Sequence, residues 1–113
     1  MKLLVLVLNK VEYLDEILEG FADAGIGGAT IIQSRGMARE LYQSGHEDDM
    51  FLGSLRAILD PDREENNTIL TVVKDEQVEA AVKIIERVVG DLSKPDSAIV
   101  FTVPVDFIKG IGR

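Results

Sequence analysis

The sequence predicts a single α+β domain in which two β-α-β units flank a long insert. Three observations point to this fold: four short apolar segments, two amphipathic segments with helical spacing, and one polar stretch far longer than an ordinary connection. The 113 residues suffice for one hydrophobic core without disulfide or metal support. We therefore expect one domain over residues 1–113, with the insert at about residues 35–67.

The first unit opens with a strand and an amphipathic helix. Residues 3–8, LLVLVL, are a continuous apolar run typical of a strand that is buried on both faces. Apolar residues then recur at helical spacing from Val11 to Phe21, with acidic residues between them. Asn9 is expected to cap this helix, with Glu12 three residues later in the capping-box position.

The second strand follows a glycine-rich stop, and the second unit repeats the pattern after the insert. Residues 25–28, GIGG, are expected to end the first helix, and residues 29–33, ATIIQ, form the next strand. Residues 68–73, TILTVV, form the third strand. Asp75 is expected to cap a second helix, which ends at Gly90.

The fourth strand, residues 98–103, follows the turn DLSKPDS and completes the order β-α-β-insert-β-α-β. This is the order of a ferredoxin-like split β-α-β fold, an antiparallel four-stranded sheet with two helices on one face. The strands are nevertheless apolar on both faces. We therefore expect the second face to be buried by copies of the chain in a closed oligomer; the alternative is a monomer whose insert covers the sheet.

Composition excludes several classes of function. The 12 basic and 20 acidic residues give a net charge of −8, which argues against nucleic acid as a partner. The absence of cysteine excludes disulfides, thiolate metal sites and a cysteine nucleophile. No apolar run approaches the roughly 20 residues that a membrane span needs, and the N-terminal apolar run is too short for a signal peptide. We expect a cytoplasmic protein without membrane insertion.

No catalytic motif is present. The chain has neither a Walker A pattern nor GxGxxG, and its one histidine, His46, lies in a region without a nucleophile-elbow sequence. His46 is followed by three acidic residues that could ligate a hard metal, but such a cluster is more typical of solvated charge. We expect neither an enzyme nor a metal site. Residues 51–59 have apolar spacing that predicts a helix within the insert.

The stretch SRGMARE, residues 34–40, places two cations around a small-residue elbow in an otherwise acidic protein. Gly36 allows a bound group to approach the backbone closely, and Arg39 can offer a planar fork of donors to a phosphate or carboxylate. The stretch is therefore either an anion site or an exposed turn.

The sequence resembles the nitrogen-regulatory P-II signalling proteins over nearly its whole length. The resemblance is carried by MKLLVLVLNKVEYLDEILEGFADAGIGGATI, RGMAR, TVVKDEQVEAAVKIIERVV and VFTVPVDFIKGI, in this order and with the large loop in the corresponding gap. It implies a homotrimer of ferredoxin-like subunits that binds adenine nucleotides in clefts between subunits. It also implies a long T-loop through which a transporter or an enzyme is regulated.

The resemblance implies a set of ligand-binding residues. Gly36 and Arg39 match the glycine and arginine of the family's elbow, and Lys109 falls where a basic residue contacts phosphates. The family's glycine-rich phosphate loop ending in GDGK is replaced by SKPDS, where Lys94 offers a displaced cation. The expected ligand-binding residues are Thr30, Arg35, Gly36, Arg39, Lys94 and Lys109. No cofactor is required, and the expected effector is a small anion such as an AMP- or ADP-like nucleotide rather than ATP with magnesium.

Other positions depart from the family pattern. Ala38 replaces a second glycine of the elbow, and Glu40 stands where a glutamine is common. Tyr42 lies in ELYQSG, which resembles the family's ELYRG, whose tyrosine is modified in some members. Two alternatives remain open: a divalent-ion-binding trimer of the CutA type, with a related subunit fold, and a trimer that only displays its loop to a partner.

Overall fold

The computed structural model describes residues 1–43 and 65–110, apart from the side chains of Ala38, Tyr42 and Gln43. The predicted α+β order is confirmed. The predicted helix at residues 51–59 and the cluster around His46 lie outside the described residues. The elements are β1 (Lys2–Leu8), a 3₁₀ turn (Val11–Tyr13), α1 (Leu14–Asp23), β2 (Thr30–Ser34), α2 (Met37–Gln43), β3 (Asn66–Val73), a second 3₁₀ turn (Asp75–Gln77), α3 (Val78–Val89) and β4 (Ala98–Pro104).

The four strands form one antiparallel sheet in the order β2-β3-β1-β4, as in a ferredoxin-like fold. Each β-α-β unit therefore joins two parallel strands that have one strand of the other unit between them. The central strand β1 places Val5 opposite Leu70 of β3 and Phe101 of β4. The described ends of the insert, Ser34 and Asn66, are register partners on adjacent strands.

The hydrophobic core lies between one face of the sheet and the helices α1 and α3. Alternate residues of β1 point into it, because successive side chains of a strand face opposite sides. The fully buried side chains are Leu4, Leu6, Leu8, Ile17, Phe21, Ile69, Ile85 and Val73. Gly20 lets the two helices approach closely, since a Cβ there would stand 2.6 Å from Cγ2 of Ile84.

The other face of the sheet, here called the open face, is apolar as predicted. None of the elements within residues 1–43 and 65–110 packs over it, and Ile99 and Phe101 of β4 are 62% and 49% exposed. Val5 is nearly buried only because its neighbours in the sheet surround it. The apolar residues of the open face are Leu3, Val5, Val7, Ile32, Leu70, Val72, Ile99, Phe101 and Val103.

Neither predicted cap residue holds the N-cap position, which Lys10 and Lys74 occupy, and the side chains of Asn9 and Asp75 bind distant groups. Helix α1 is entered through the 3₁₀ turn without a side-chain cap, and Asn9 Oδ1 accepts a hydrogen bond from Asn66 Nδ2 at 3.0 Å. Before α3, Asp75 forms an ion pair with the N-terminal amine at 3.0 Å. The Gln77 side chain accepts from the backbone N–H of Lys74 at 2.8 Å and satisfies one donor at this helix entry.

The predicted glycine stop of the first helix is confirmed. Gly25 has a φ of 85° and follows the last turn of α1. The Ile26 N–H donates to the carbonyl of Phe21 at 2.8 Å, and the Gly25 N–H donates to the carbonyl of Ala22 at 3.0 Å. This pair of bonds is a Schellman motif, and the burial of Phe21 and Ile26 supplies its usual apolar contact.

Helix α2 was not predicted, because the elbow SRGMARE indicated the start of a loop. The residues after Gly36 are methionine, alanine, arginine, glutamate and leucine, all of which favour helix. The insert therefore begins with helical turns. Of the helices in the described part of the chain, none is long and apolar enough to cross a bilayer.

Candidate functional site

A polar network joins the two ends of the insert to the end of β1. Ser34 Oγ donates to Asn66 Oδ1 and lies 2.8 Å from Thr68 Oγ1. Asn66 Nδ2 in turn donates to Asn9 Oδ1 at 3.0 Å, and Asn66 is only 7% exposed. Because these side chains satisfy one another at an otherwise apolar face, they fix where the insert leaves and rejoins the sheet.

Beside this network lies an open cleft of about 560 Å³, here called the insert-base cleft. Arg35 and Glu40 face each other in it, with Arg35 Nη1 donating to Glu40 Oε2 at 2.5 Å. Glu65 adds a second carboxylate. The lining residues are Gln33, Ser34, Arg35, Gly36, Met37, Glu40 and Glu65.

Packing within the chain does not require a glycine, rather than a larger residue, at position 36. A Cβ at this position would meet only Asn66 Nδ2, at 3.8 Å, which is ordinary van der Waals contact. Its φ lies outside the left-handed region, so an L-residue could take the same backbone. Space on the cleft side of Gly36 is therefore open to a bound group.

Arg39, the second cation of the elbow, is buried in α2. Its surface is 8% exposed, and it interacts with other groups of the protein. It is not among the residues that line the insert-base cleft. Arg35 is thus the cation of the elbow that this cleft presents.

A second open cleft of about 430 Å³, here called the sheet-face cleft, lies at the start of β2. The exposed Thr30 stands at its rim beside Gly28, where a Cβ would meet nothing within 4 Å. Thr71 Oγ1 donates to the Gly28 carbonyl at 2.5 Å and holds this backbone against β3. The cleft is lined by Leu3, Gly27, Gly28, Ala29, Thr30, Leu70, Thr71 and Val72.

Residues 91–97, which replace the family's glycine-rich phosphate loop, form several hydrogen bonds with one another. Asp91 Oδ1 accepts hydrogen bonds from the hydroxyl and the N–H of Ser93, and these bonds hold the pKa of Asp91 below its usual value. The buried Ser97 donates to the carbonyl of Lys94 at 2.8 Å. Asp96 has a φ of 57°, a conformation that glycine would adopt more easily. Lys94 itself is exposed.

One copy of the chain does not bring all the candidate residues together. Thr30 lies on the edge strand β2, and Arg35 and Gly36 directly follow it, whereas Lys94 precedes and Lys109 follows the other edge strand, β4, in the sequence. Three strand spacings, about 14 Å, separate these edges.

The described residues do not form a metal site. Among residues 1–43 and 65–110, no group of three or more histidine, cysteine, aspartate or glutamate side chains is placed to hold an ion. The cluster around His46 lies outside this part of the chain.

The strand order, the two helices on one face and the long insert between β2 and β3 define a ferredoxin-like domain. A scan against protein-family models matches residues 1–111 to the nitrogen regulatory protein P-II family. The chain belongs to this family, and the resemblance found in the sequence is confirmed. A search of curated proteins gave no match.

Sequence reasoning missed several residues of the clefts. Glu65 belongs to the insert-base cleft because Asn66, the next residue, pairs with Ser34 of β2. At Gly28 the sequence pattern indicates only a helix stop. The register of the β2–β3 pair, which places Glu65 beside the end of β2, depends on how the insert closes, and local sequence spacing does not give it.

Proposed function

We propose that the protein is a P-II-type signal-transduction regulator that binds a small anionic effector, an adenine nucleotide with few phosphates, in clefts between the subunits of a homotrimer. It regulates a partner protein, a transporter or an enzyme, through residues 35–67, without catalysis of its own and in the cytoplasm. The observation that carries the proposal is the family match over residues 1–111, which spans both clefts and the whole insert.

The trimer is supported by the apolar open face. A soluble monomer rarely exposes a contiguous apolar patch of this kind, and a cyclic assembly of copies is the simplest way to cover it. The position of Phe101 beside Val5 at the centre of this face makes it a natural part of the contact.

The proposed effector site is supported by the lining of the sheet-face cleft and by the lysines at the other edge strand. The sheet-face cleft combines apolar walls with the hydroxyl of Thr30 and the open backbone of Gly28, as a site for a flat heteroaromatic ring requires. Lys109 or Lys94 of a neighbouring copy would supply a cation for a phosphate.

A preference for few phosphates is supported by the turn before β4. A glycine-rich cradle binds phosphates through several unoccupied N–H groups. In this turn the N–H of Ser93 is directed to the Asp91 carboxylate, and Pro95 has no N–H. The negative charge of Asp91 also opposes an extended polyphosphate.

A ligand panel tests the proposal. Thermal unfolding is recorded with AMP, ADP, ATP, 2-oxoglutarate, bicarbonate and divalent metals. We expect AMP or ADP to stabilise the protein, by about 2.7 kcal/mol at 100 times the dissociation constant. Lys109→Gln should weaken this effect, and Lys83→Gln, an exposed lysine of α3 paired with Glu79, is the matched control. Stabilisation by a metal alone, or by no member of the panel, would contradict the proposal.

A further inference from the structure

In the insert-base cleft, the Glu40 carboxylate competes with any anionic ligand for Arg35. Among the described residues that line it, Arg35 is the cation and Glu40 and Glu65 are carboxylates, so its formal charge is −1 rather than positive. Glu40 Oε2 lies 2.5 Å from Arg35 Nη1, so an anionic ligand that bound Arg35 at this nitrogen would have to displace the Glu40 carboxylate.

The contact between Arg35 and Glu40 can be opened without unfolding the chain. Both side chains are about half exposed, 48% and 52%, and an ion pair of this kind is weak because water and salt screen it. The charge of Glu40 nevertheless stays beside the cleft when a ligand displaces it from Arg35. Its repulsion increases with the number of negative charges on the ligand.

We propose that Glu40 is a specificity-determining residue, which makes the cleft discriminate against highly charged anions in favour of singly phosphorylated ones. This inference rests on the proposed function, and it adds Arg35 of the insert-base cleft to the cations that would meet the phosphate end of the effector proposed above. It assigns the preference for few phosphates to a particular carboxylate, in addition to the altered turn before β4.

The experiment compares AMP and ATP as probes for the unmodified protein and Glu40→Gln. Affinities are measured by isothermal titration calorimetry without magnesium and at low ionic strength. Removal of one charge about 8 Å from a bound phosphate changes affinity by roughly twofold for each ligand charge before screening. We expect Glu40→Gln to tighten ATP about tenfold and AMP about threefold, and added salt to reduce both gains.

Two further variants separate this effect from general changes. Glu79→Gln removes the same charge and a similar exposed ion pair, since Glu79 Oε1 lies 3.1 Å from Lys83 Nζ on the remote helix α3. It should leave both affinities unchanged. Glu40→Asp keeps the carboxylate and should retain the low ratio of ATP to AMP affinity. Glutamine and glutamate have similar helix propensities, so α2 is preserved in Glu40→Gln.

The outcomes distinguish this inference from the proposed function. A larger gain for ATP than for AMP supports the role of Glu40. Equal gains, or unchanged affinities in a protein that binds AMP, overturn the role of Glu40 and leave the proposed function intact. If neither the unmodified protein nor Glu40→Gln binds either nucleotide, both the proposed function and the role of Glu40 are overturned.

Discussion

Gly20 of α1 lies so close to Ile84 of α3 that a Cβ on the glycine would stand 2.6 Å from the isoleucine Cγ2. Gly20→Ala should therefore lower the free energy of unfolding by about 1–3 kcal/mol, because the overpacking outweighs the gain in helix propensity. Urea unfolding measures the change. Gly28→Ala, where a Cβ would meet nothing within 4 Å, is the control, and an equally stable Gly20→Ala variant would show that the helices can move apart freely.

Phe101 lies on the open face beside Val5, and the trimer proposal predicts that its replacement disrupts assembly. In a single chain the half-exposed position lets the Phe101→Asp carboxylate reach water, but in a dry interface this charge is buried without a partner. Light scattering should show smaller particles for Phe101→Asp than for the unmodified protein. Ile31→Asp, at a similarly exposed site on the helix side of the sheet, should assemble normally; a monomeric unmodified protein would contradict the proposal.

Asn66 connects Ser34 and Asn9 at the base of the insert. Asn66→Ala should destabilise the protein by about 1–3 kcal/mol, because it leaves partly buried polar groups without their partner. Chemical unfolding monitored by circular dichroism gives this value. Asn67→Ala, half-buried on the opposite face of the same strand, should cost less. Equal costs would mean that the network adds nothing beyond ordinary packing.

Gly36 is dispensable for the fold but lines the insert-base cleft. Gly36→Ala should leave stability unchanged or raise it by about 0.4–1 kcal/mol, since alanine restricts the unfolded chain. The same variant should bind AMP or ADP more weakly, because the methyl group occupies space at the cleft. Gly90→Ala is the opposite control: its φ of 97° predicts a loss of stability. Undiminished affinity in Gly36→Ala would remove Gly36 from the effector site.

The Asp91 carboxylate makes a contribution to the free energy of unfolding that depends on pH. Hydrogen bonds from the hydroxyl and then the N–H of Ser93 lower the folded-state pKa of Asp91 below 3.8, so the contribution is present above the unfolded pKa. It is lost as the pH falls through the lower, folded pKa. Asp91→Asn should therefore lose less thermal stability than the unmodified protein between about pH 6 and pH 2.5.

Ser93→Ala provides the matching test for Asp91, because it removes the hydroxyl donor and keeps the N–H. Its acid sensitivity should lie between those of the unmodified protein and Asp91→Asn. The same loss of melting temperature in all three proteins would contradict the assignment to this turn.

The regular elements could be predicted from the sequence because each is encoded by local periodicity. The run LLVLVL and the spacing within α1 and α3 gave strands and helices close to their observed bounds. The caps could not be predicted in the same way. Asn9 and Asp75 have the right local positions, but Asn66 and the N-terminal amine, remote in sequence, bind them in the folded chain.

The candidate site was predicted only in part for a related reason. Residue type and resemblance pointed to Arg35, Gly36 and Thr30, which line the two clefts. Neither could show that Arg39 is buried or that Glu40 pairs with Arg35, since both depend on the turn into α2. Lys94 and Lys109 were predicted from the resemblance alone, and they are not among the residues that line either cleft.

The pairing of Ser34 with Asn66 on adjacent strands fixes both ends of the insert independently of the sequence between them. Its attachment points are set by a hairpin of the sheet, so the scaffold folds around two fixed anchors whatever sequence connects them. Closing such a connection costs little more as it lengthens, about 0.6 kcal/mol for each doubling. The sequence between these two residues can therefore change, in evolution or by grafting of a new peptide, while the sheet that holds its ends is retained.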